Sequence, residues 1–333
     1  MRLRILLLSL VMWAVGGAGA QAPAPAPAAP LRVVVFDGGW NLPLWAGQRQ
    51  GFFEDNGVAL QIAYTPNSAA LVTGLFDGKY DIAIATIDNF IAYQEGQGEV
   101  KLAGEPDFAV VMGGDGGFLA VVGGKGIDSF ADLKGRTLSV DAMTTGLAFV
   151  LRELVARAGV ADGEVTYVRN GGTPLRYRDL VNGKHDATLL RTPFELLAQE
   201  RGLKVLGTAE SLGAYQGSVA AVRRSWARQN EKALVGFLRA YRASVAWVYD
   251  PANREVTQAL LVANNRDMNP ALARQSYDLL LSAKGGLARD GALDLDGIRT
   301  VLQLRSKYGV PQKTLADPAK YIDDSYLRAA NAR

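Results

Sequence analysis

Hydroxyl, amide, carboxylate and aromatic side chains collect just where short apolar runs end. After the run from Leu31 to Phe36 come Asp37, Trp40 and Asn41. Asn67 follows a second run, Ala59 to Tyr64, and Thr86, Asp88 and Asn89 follow a third, Ile82 to Ala85. Thr144, Thr145, Arg191, Thr192, Tyr215 and Gln216 hold similar positions further along the chain. Hydroxyls and amides give oriented hydrogen bonds, Trp40 and Tyr215 can stack on a planar ligand, and Arg191 can fork onto a carboxylate or sulfonate. Such a set is better suited to holding a molecule than to converting it. Several of these residues also have plain structural readings: Thr144 and Thr145 as helix caps, and Arg191 as the ion-pair partner of Glu195 one helical turn on.

Catalytic constellations are poorly represented. His185 is the only histidine, no cysteine occurs, and there is no G-x-S-x-G. One histidine without cysteine does not assemble a familiar zinc site or a Ser-His-Asp arrangement. Asp37, Asp88, Asp115 and Asp141 are carboxylates that could pair as acid and base, although capping turns is what Asp does in such loops. Gly124-Lys125 is followed by Gly126, where a phosphate-binding lysine loop needs Ser or Thr. The sequence calls for no metal and no cofactor.

The elements that must position these residues come in two copies. Leu75-Phe-Asp-Gly-Lys-Tyr-Asp81 aligns with Leu180-Val-Asn-Gly-Lys-His-Asp186, 105 positions on, and each is followed by a short apolar run. A run of four or five small or β-branched residues between turn signals reads as a strand buried on both faces. Asp-Gly and Asn-Gly are turn chemistry, and the upstream glycines at 57 and 159 read as helix C-caps. Each copy is therefore helix, strand, helix, turn, strand, and two such units imply a cleft between two lobes. In an open parallel sheet ligands bind beyond the carboxyl ends of the strands, where the polar residues above stand. The two copies differ at their tips, Thr86-Ile-Asp-Asn89 against Arg191-Thr-Pro-Phe194, and ligand choice is expected there.

Taken in order, residues 1–20 read as a signal peptide, with Arg2 and Arg4, an apolar run from Ile5 to Val15 and Ala18-Gly-Ala20 as a small-residue cleavage site. With no cysteine at that point to carry a lipid, the expected location is the periplasm, free of any membrane anchor. Residues 21–30, alternating Ala and Pro, read as an extended spacer. Residues 31–117 form the first part of lobe 1, 118–217 form lobe 2, and 218–333 return to lobe 1 and add C-terminal helices. The crossings fall at Gly113 to Gly117 and at Tyr215 to Gly217, where glycine tolerates a hinge. Strands are also expected at Val100 to Ala103, Phe108 to Met112 and Phe118 to Val122, and Ser225 is expected to cap one long amphipathic helix. Without Arg2 and Arg4 the formal charge is +1, from 34 basic and 33 acidic residues with no basic cluster, which excludes nucleic acid as a partner.

Asn41-Leu-Pro-Leu-Trp-Ala46, Gly51-Phe-Phe-Glu-Asp-Asn-Gly57, Gly78-Lys-Tyr-Asp-Ile-Ala83, Asp132-Leu-Lys-Gly135 and Gly183-Lys-His-Asp186 together resemble the periplasmic solute-binding proteins of ABC importers. The likeness is to their nitrate/sulfonate/taurine and thiamine-precursor group and covers roughly residues 31 to 260. It implies a two-lobed α/β fold of the type II periplasmic-binding kind. Each lobe would be a mixed, mostly parallel sheet flanked by helices, closing as a monomer on a small solute and delivering it to a membrane permease. By the same resemblance the binding residues come from Asp37 to Leu42, Thr86 to Asn89, and Thr144 to Thr145. Asp37 and Asp88 are poor neighbours for an inorganic anion such as nitrate, since unpaired like charge is costly. With Trp40 they favour an organic solute bearing a ring or an amine, with any carboxylate facing Arg191. Two other functions fit the same fold: a sensory module that presents its liganded state to a receptor, and an enzyme similar to the fungal pyrimidine synthases, whose cysteine-rich motif and reactive histidine this chain lacks.

Overall fold

The computed structural model describes residues 30–332. The expected signal peptide, residues 1–20, and all but the last residue of the expected Ala/Pro spacer lie outside the described residues. Ten strands form two sheets of five. β1 (Leu31–Val35), β2 (Leu60–Tyr64), β3 (Ile82–Thr86) and β4 (Phe108–Gly113) belong to the first. β5 (Leu119–Gly123), β6 (Thr137–Val140), β7 (Thr166–Arg169), β8 (Ala187–Arg191) and β9 (Lys204–Thr208) make the second, and β10 (Ser218–Arg223) returns to the first. The orders are β2-β1-β3-β10-β4 and β7-β6-β8-β5-β9. In each sheet the first three strands are parallel and the last two join antiparallel. All five residues of β3 and of β8 are buried, as in strands covered on both faces.

The duplication read in the sequence is thus a duplication of topology, and its shared residues are scaffold. Asp81 Oδ2 accepts the backbone N–H of Arg32 at 2.9 Å, and Asp186 Oδ2 accepts that of Thr137 at 2.8 Å. Positions 32 and 137 differ by the same 105 residues, so each Asp ties the start of its own strand to the start of the parallel neighbour. Gly78 and Gly183, in the turns before them, both take positive φ (74° and 70°), a conformation cheap only for glycine.

Between the sheets the chain crosses after β4 and returns after β9. The two crossing segments bond to each other, Gly114 N–H to Ser218 O at 2.8 Å and Gly217 N–H to Asp115 O at 2.8 Å. A Cβ at Gly217 would lie 2.2 Å from Asp115 Oδ1, so the approach requires glycine there.

Two expectations need correction. Residues Val100 to Ala103 form no strand; Val100 is exposed, and the loop instead carries Glu99 to its partners in the second lobe. Ser225 does not cap the long helix. It lies inside a short helix, Arg224–Gln229, where its N–H is taken by Asp107 at 2.8 Å, and the long helix starts afresh at Glu231. That helix, Glu231–Tyr249, buries Leu234, Phe237, Leu238, Tyr241, Val245 and Val248 at helical spacing, with Phe237 stacked on Phe53. The helix Leu295–Tyr308 runs between Ile87–Gln94 of the first lobe and Gly146–Arg157 of the second.

Candidate functional site

A small hollow of about 30 Å³ lies between the lobes, beyond the carboxyl ends of β1, β3, β6 and β8. Phe36, Trp40, Thr86 and Asn89 line it from the first lobe. Asp141, Thr145, Leu147, Gly172, Thr173, Arg176 and Arg191 line it from the second. The residues pair by the repeat: Phe36 with Asp141, Trp40 with Thr145 and Thr86 with Arg191 each differ by 105. A volume of this size admits little more than water, because the lobes are drawn together. Gly172 N–H bonds across to Pro66 O at 2.8 Å, and Asp141 Oδ2 accepts the N–H of Ser68 at 3.1 Å.

Arg176 is fully buried at the floor of the second lobe. Its guanidinium donates to Gly171 O (2.5 Å), Leu189 O (3.1 Å), Thr173 Oγ1 and Thr188 Oγ1 (3.2 Å each), all of them neutral acceptors. Burial lowers its pKa to about 10, against the pull of Asp141. Asp141 is half-buried, and burial pushes its carboxyl up despite Arg176 and the Ser68 N–H; Oδ1 has no partner among the described residues. One wall of the cleft therefore offers a positive charge without a contacting carboxylate, and beside it a carboxylate oxygen without a donor. Phe36, Leu147 and the Trp40 ring supply apolar surface.

Arg191 reaches the hollow but is largely spent elsewhere. Nη2 is 2.9 Å from both carboxylate oxygens of Asp115, Nε donates to Gly117 O and Nη1 to Ser218 Oγ, and the guanidinium lies 4.2 Å from the Trp40 ring centroid. The ion pair with Glu195 considered from spacing is replaced by this one with Asp115, because β8 ends against the crossing segments. Glu195 instead accepts the Thr192 hydroxyl at 2.6 Å.

The other sequence candidates are placed as follows. Thr86, Asn89, Thr145 and Trp40 line the hollow, with Asn89 Nδ2 donating to Thr86 Oγ1 and Thr145 Oγ1 to Ala142 O. Asp88 does not reach it: both its oxygens are held at 2.6 Å by Arg305, wholly buried, so the role in ligand choice read for it at the tip of the repeat has no free oxygen to act through. Asn67 caps its helix through Ala70 N, and Asn41 Nδ2 donates to Phe36 O. Thr144 donates to Glu99 and gives its carbonyl to Arg305. Asp37 stands exposed at the rim, Tyr215 is buried beside Gly117, and Gln216 bonds to Asp115 O, Ser218 O and Asp294 N–H within the crossing. Phe36, Leu147, Gly172, Thr173 and Arg176 were missed, and Asp141 was weighed only as an acid, a base or a cap. The offset of 105 would have led from Asn67 to Gly172 and from Ser68 to Thr173.

Two like α/β lobes, joined by paired crossings and enclosing polar groups from both, define the class of two-lobed periplasmic-binding-protein folds. The chain belongs to the NMT1/THI5-like family, whose description matches residues 41–254. No curated protein sequence matches it. Among solved structures it is similar to a protein of Bordetella bronchiseptica, 20% identical over 92% of this chain and 98% of that one, with a TM-score of 0.76. It is also similar to the alkanesulfonate-binding protein SsuA of Xanthomonas axonopodis pv. citri bound to MOPS (14%, covering 91% and 98%, TM-score 0.68). The periplasmic nitrate-binding protein NrtA of Synechocystis PCC 6803 is a third (13%, covering 90% and 88%, TM-score 0.72).

Proposed function

We propose that this protein is an extracytoplasmic solute-binding protein that captures a small organic solute between its lobes and hands it to an ABC-type importer. The observation that carries the reading is the hollow itself, enclosed by strand-end residues of both lobes that stand in repeat-related pairs. The solved relatives described as alkanesulfonate-binding and nitrate-binding support the class. Opening about the crossings at Asp115 to Gly117 and Tyr215 to Gly217 admits the solute, and closure reforms the Pro66–Gly172 and Ser68–Asp141 bonds over it.

The expected solute changes in detail. Asp88 is neutralised by Arg305, so it no longer argues against a simple inorganic anion. Asp141 takes over that argument, because its unpaired Oδ1 would repel an oxyanion and accepts an N–H or O–H. The anion-holding role moves from Arg191 to Arg176. The solute is thus organic, with a donor for Asp141, an acceptor or negative group for Arg176 and a flat or apolar part against Phe36 and Leu147. Thermal unfolding of the purified protein with a panel of aromatic amines, amino acids, sulfonates, nitrate and sulfate tests it. Stabilisation by an organic compound carrying both groups is expected, and stabilisation by nitrate or sulfate alone would overturn it.

A further inference from the structure

A second, larger hollow, of about 710 Å³, lies beside the crossing segments. Volumes of this order accommodate a small organic molecule. Its walls come from β5, from the turn and helix after β8, from the segment before Tyr215 and from the end of the helix Pro270–Leu280. Thr192, Glu195, Leu196 and Gln199 line it at spacings of three, four and seven, which is one face of a helix. Phe194, Leu197 and Ala198 pack into the apolar core beside that face.

Glu195 is the unusual member. It is only 6% exposed, Oε1 takes the Thr192 hydroxyl, and Oε2 has no hydrogen-bond partner among the described residues. A buried carboxyl oxygen left without a donor is costly and calls for one. The charged lining residues are Glu195, Glu210 and Asp294 against Lys284 alone, so the wall favours a cation. Phe118, Leu119, Leu196, Val205 and Leu279 supply apolar surface.

We propose that this hollow is a second binding site, separate from the interlobe cavity, for a small organic ammonium ion whose nitrogen donates to Glu195 and whose apolar body lies on Leu119, Leu196 and Leu279. Burial holds the Glu195 carboxyl up at about 7, and a cation bound beside it would favour the ionised form. The proposal does not depend on which solute the interlobe cavity takes.

Calorimetric titration of the whole secreted chain with 2-phenylethylammonium tests it, against 2-phenylethanol and 3-phenylpropionate as neutral and anionic matches in size. Saturable binding of the ammonium compound alone is expected, weakened by about tenfold or more in Glu195→Gln. Gln199→Trp, which narrows the hollow from the exposed end of the same face, should weaken it, and Arg176→Lys should leave it unchanged. Circular dichroism confirms that each variant is folded, and Gln199→Trp, at an exposed position, decides the matter if Glu195→Gln does not fold. No saturable binding, equal binding of 2-phenylethanol, or binding indifferent to the folded variants overturns the proposal.

Discussion

Thr86 and Arg191 are the last residues of β3 and β8, stand 105 positions apart, and both line the hollow between the lobes. The pair shows how the duplication works. Identical backbone positions present a hydroxyl from one lobe and a guanidinium from the other, so a symmetric scaffold encloses an asymmetric site.

Beside that site, Arg305 holds Asp88 through two bonds of 2.6 Å and adds the Thr144 carbonyl of the second lobe, also at 2.6 Å. Both partners are buried, and removing one leaves an uncompensated charge. Arg305→Met should lower unfolding free energy by about 3–5 kcal/mol. Asp88→Asn combined with Arg305→Met should cost clearly less than the sum of the singles. Urea unfolding of the four proteins checks this; additive losses would mean the pair is not coupled.

The carboxylates of scaffold and site should separate cleanly. Asp186→Asn weakens the bond to Thr137 N–H and should reduce stability by about 1–2 kcal/mol while leaving solute binding alone. Asp141→Asn keeps an oxygen for the Ser68 N–H and replaces only the unpaired Oδ1, so it should leave stability nearly unchanged and should change affinity for the small-molecule fraction released from freshly purified protein. Unfolding curves and titration of both variants decide it, and the reverse pattern would exchange their roles.

How much of this was legible before the fold was seen follows from range. The repeat, the buried strands and the crossing glycines are local patterns, and Asp81, Asp186, Gly78 and Gly183 declare them within a few residues. Partners do not declare themselves that way. Asp88 meets Arg305 at a separation of 217 residues and Arg191 meets Asp115 at 76, so no spacing rule pairs them. Arg176 does not declare itself either, because nothing in Thr173–Val181 shows that its guanidinium turns inward onto carbonyls. Phe36, at the end of an apolar run, is silent for the same reason: a face toward a cleft and a face toward a core look alike in one dimension.

Stability should also carry a pH signature from Glu195. Unfolded, its carboxyl titrates near the ordinary 4.5; folded, burial raises it to about 7. The folded state therefore holds the proton longer, so the stability this group contributes is complete below pH 4.5 and is lost as pH rises through 7. The loss is on the order of 3 kcal/mol for a shift of this size. Thermal unfolding from pH 4 to 8 should show that decline in the native protein beyond what Glu195→Gln shows; parallel curves would mean that Glu195 ionises normally.

Lobes that open and close about a bound solute change the distance across the cleft as the solute enters and leaves. The sequence has no cysteine, so spin labels at Ala70→Cys and Arg178→Cys, both exposed and on opposite lobes, report without interference. The distance should lengthen and broaden once solute is stripped by unfolding and refolding, then shorten and narrow when the small-molecule fraction from the native preparation is returned. A distribution identical before and after would contradict the account.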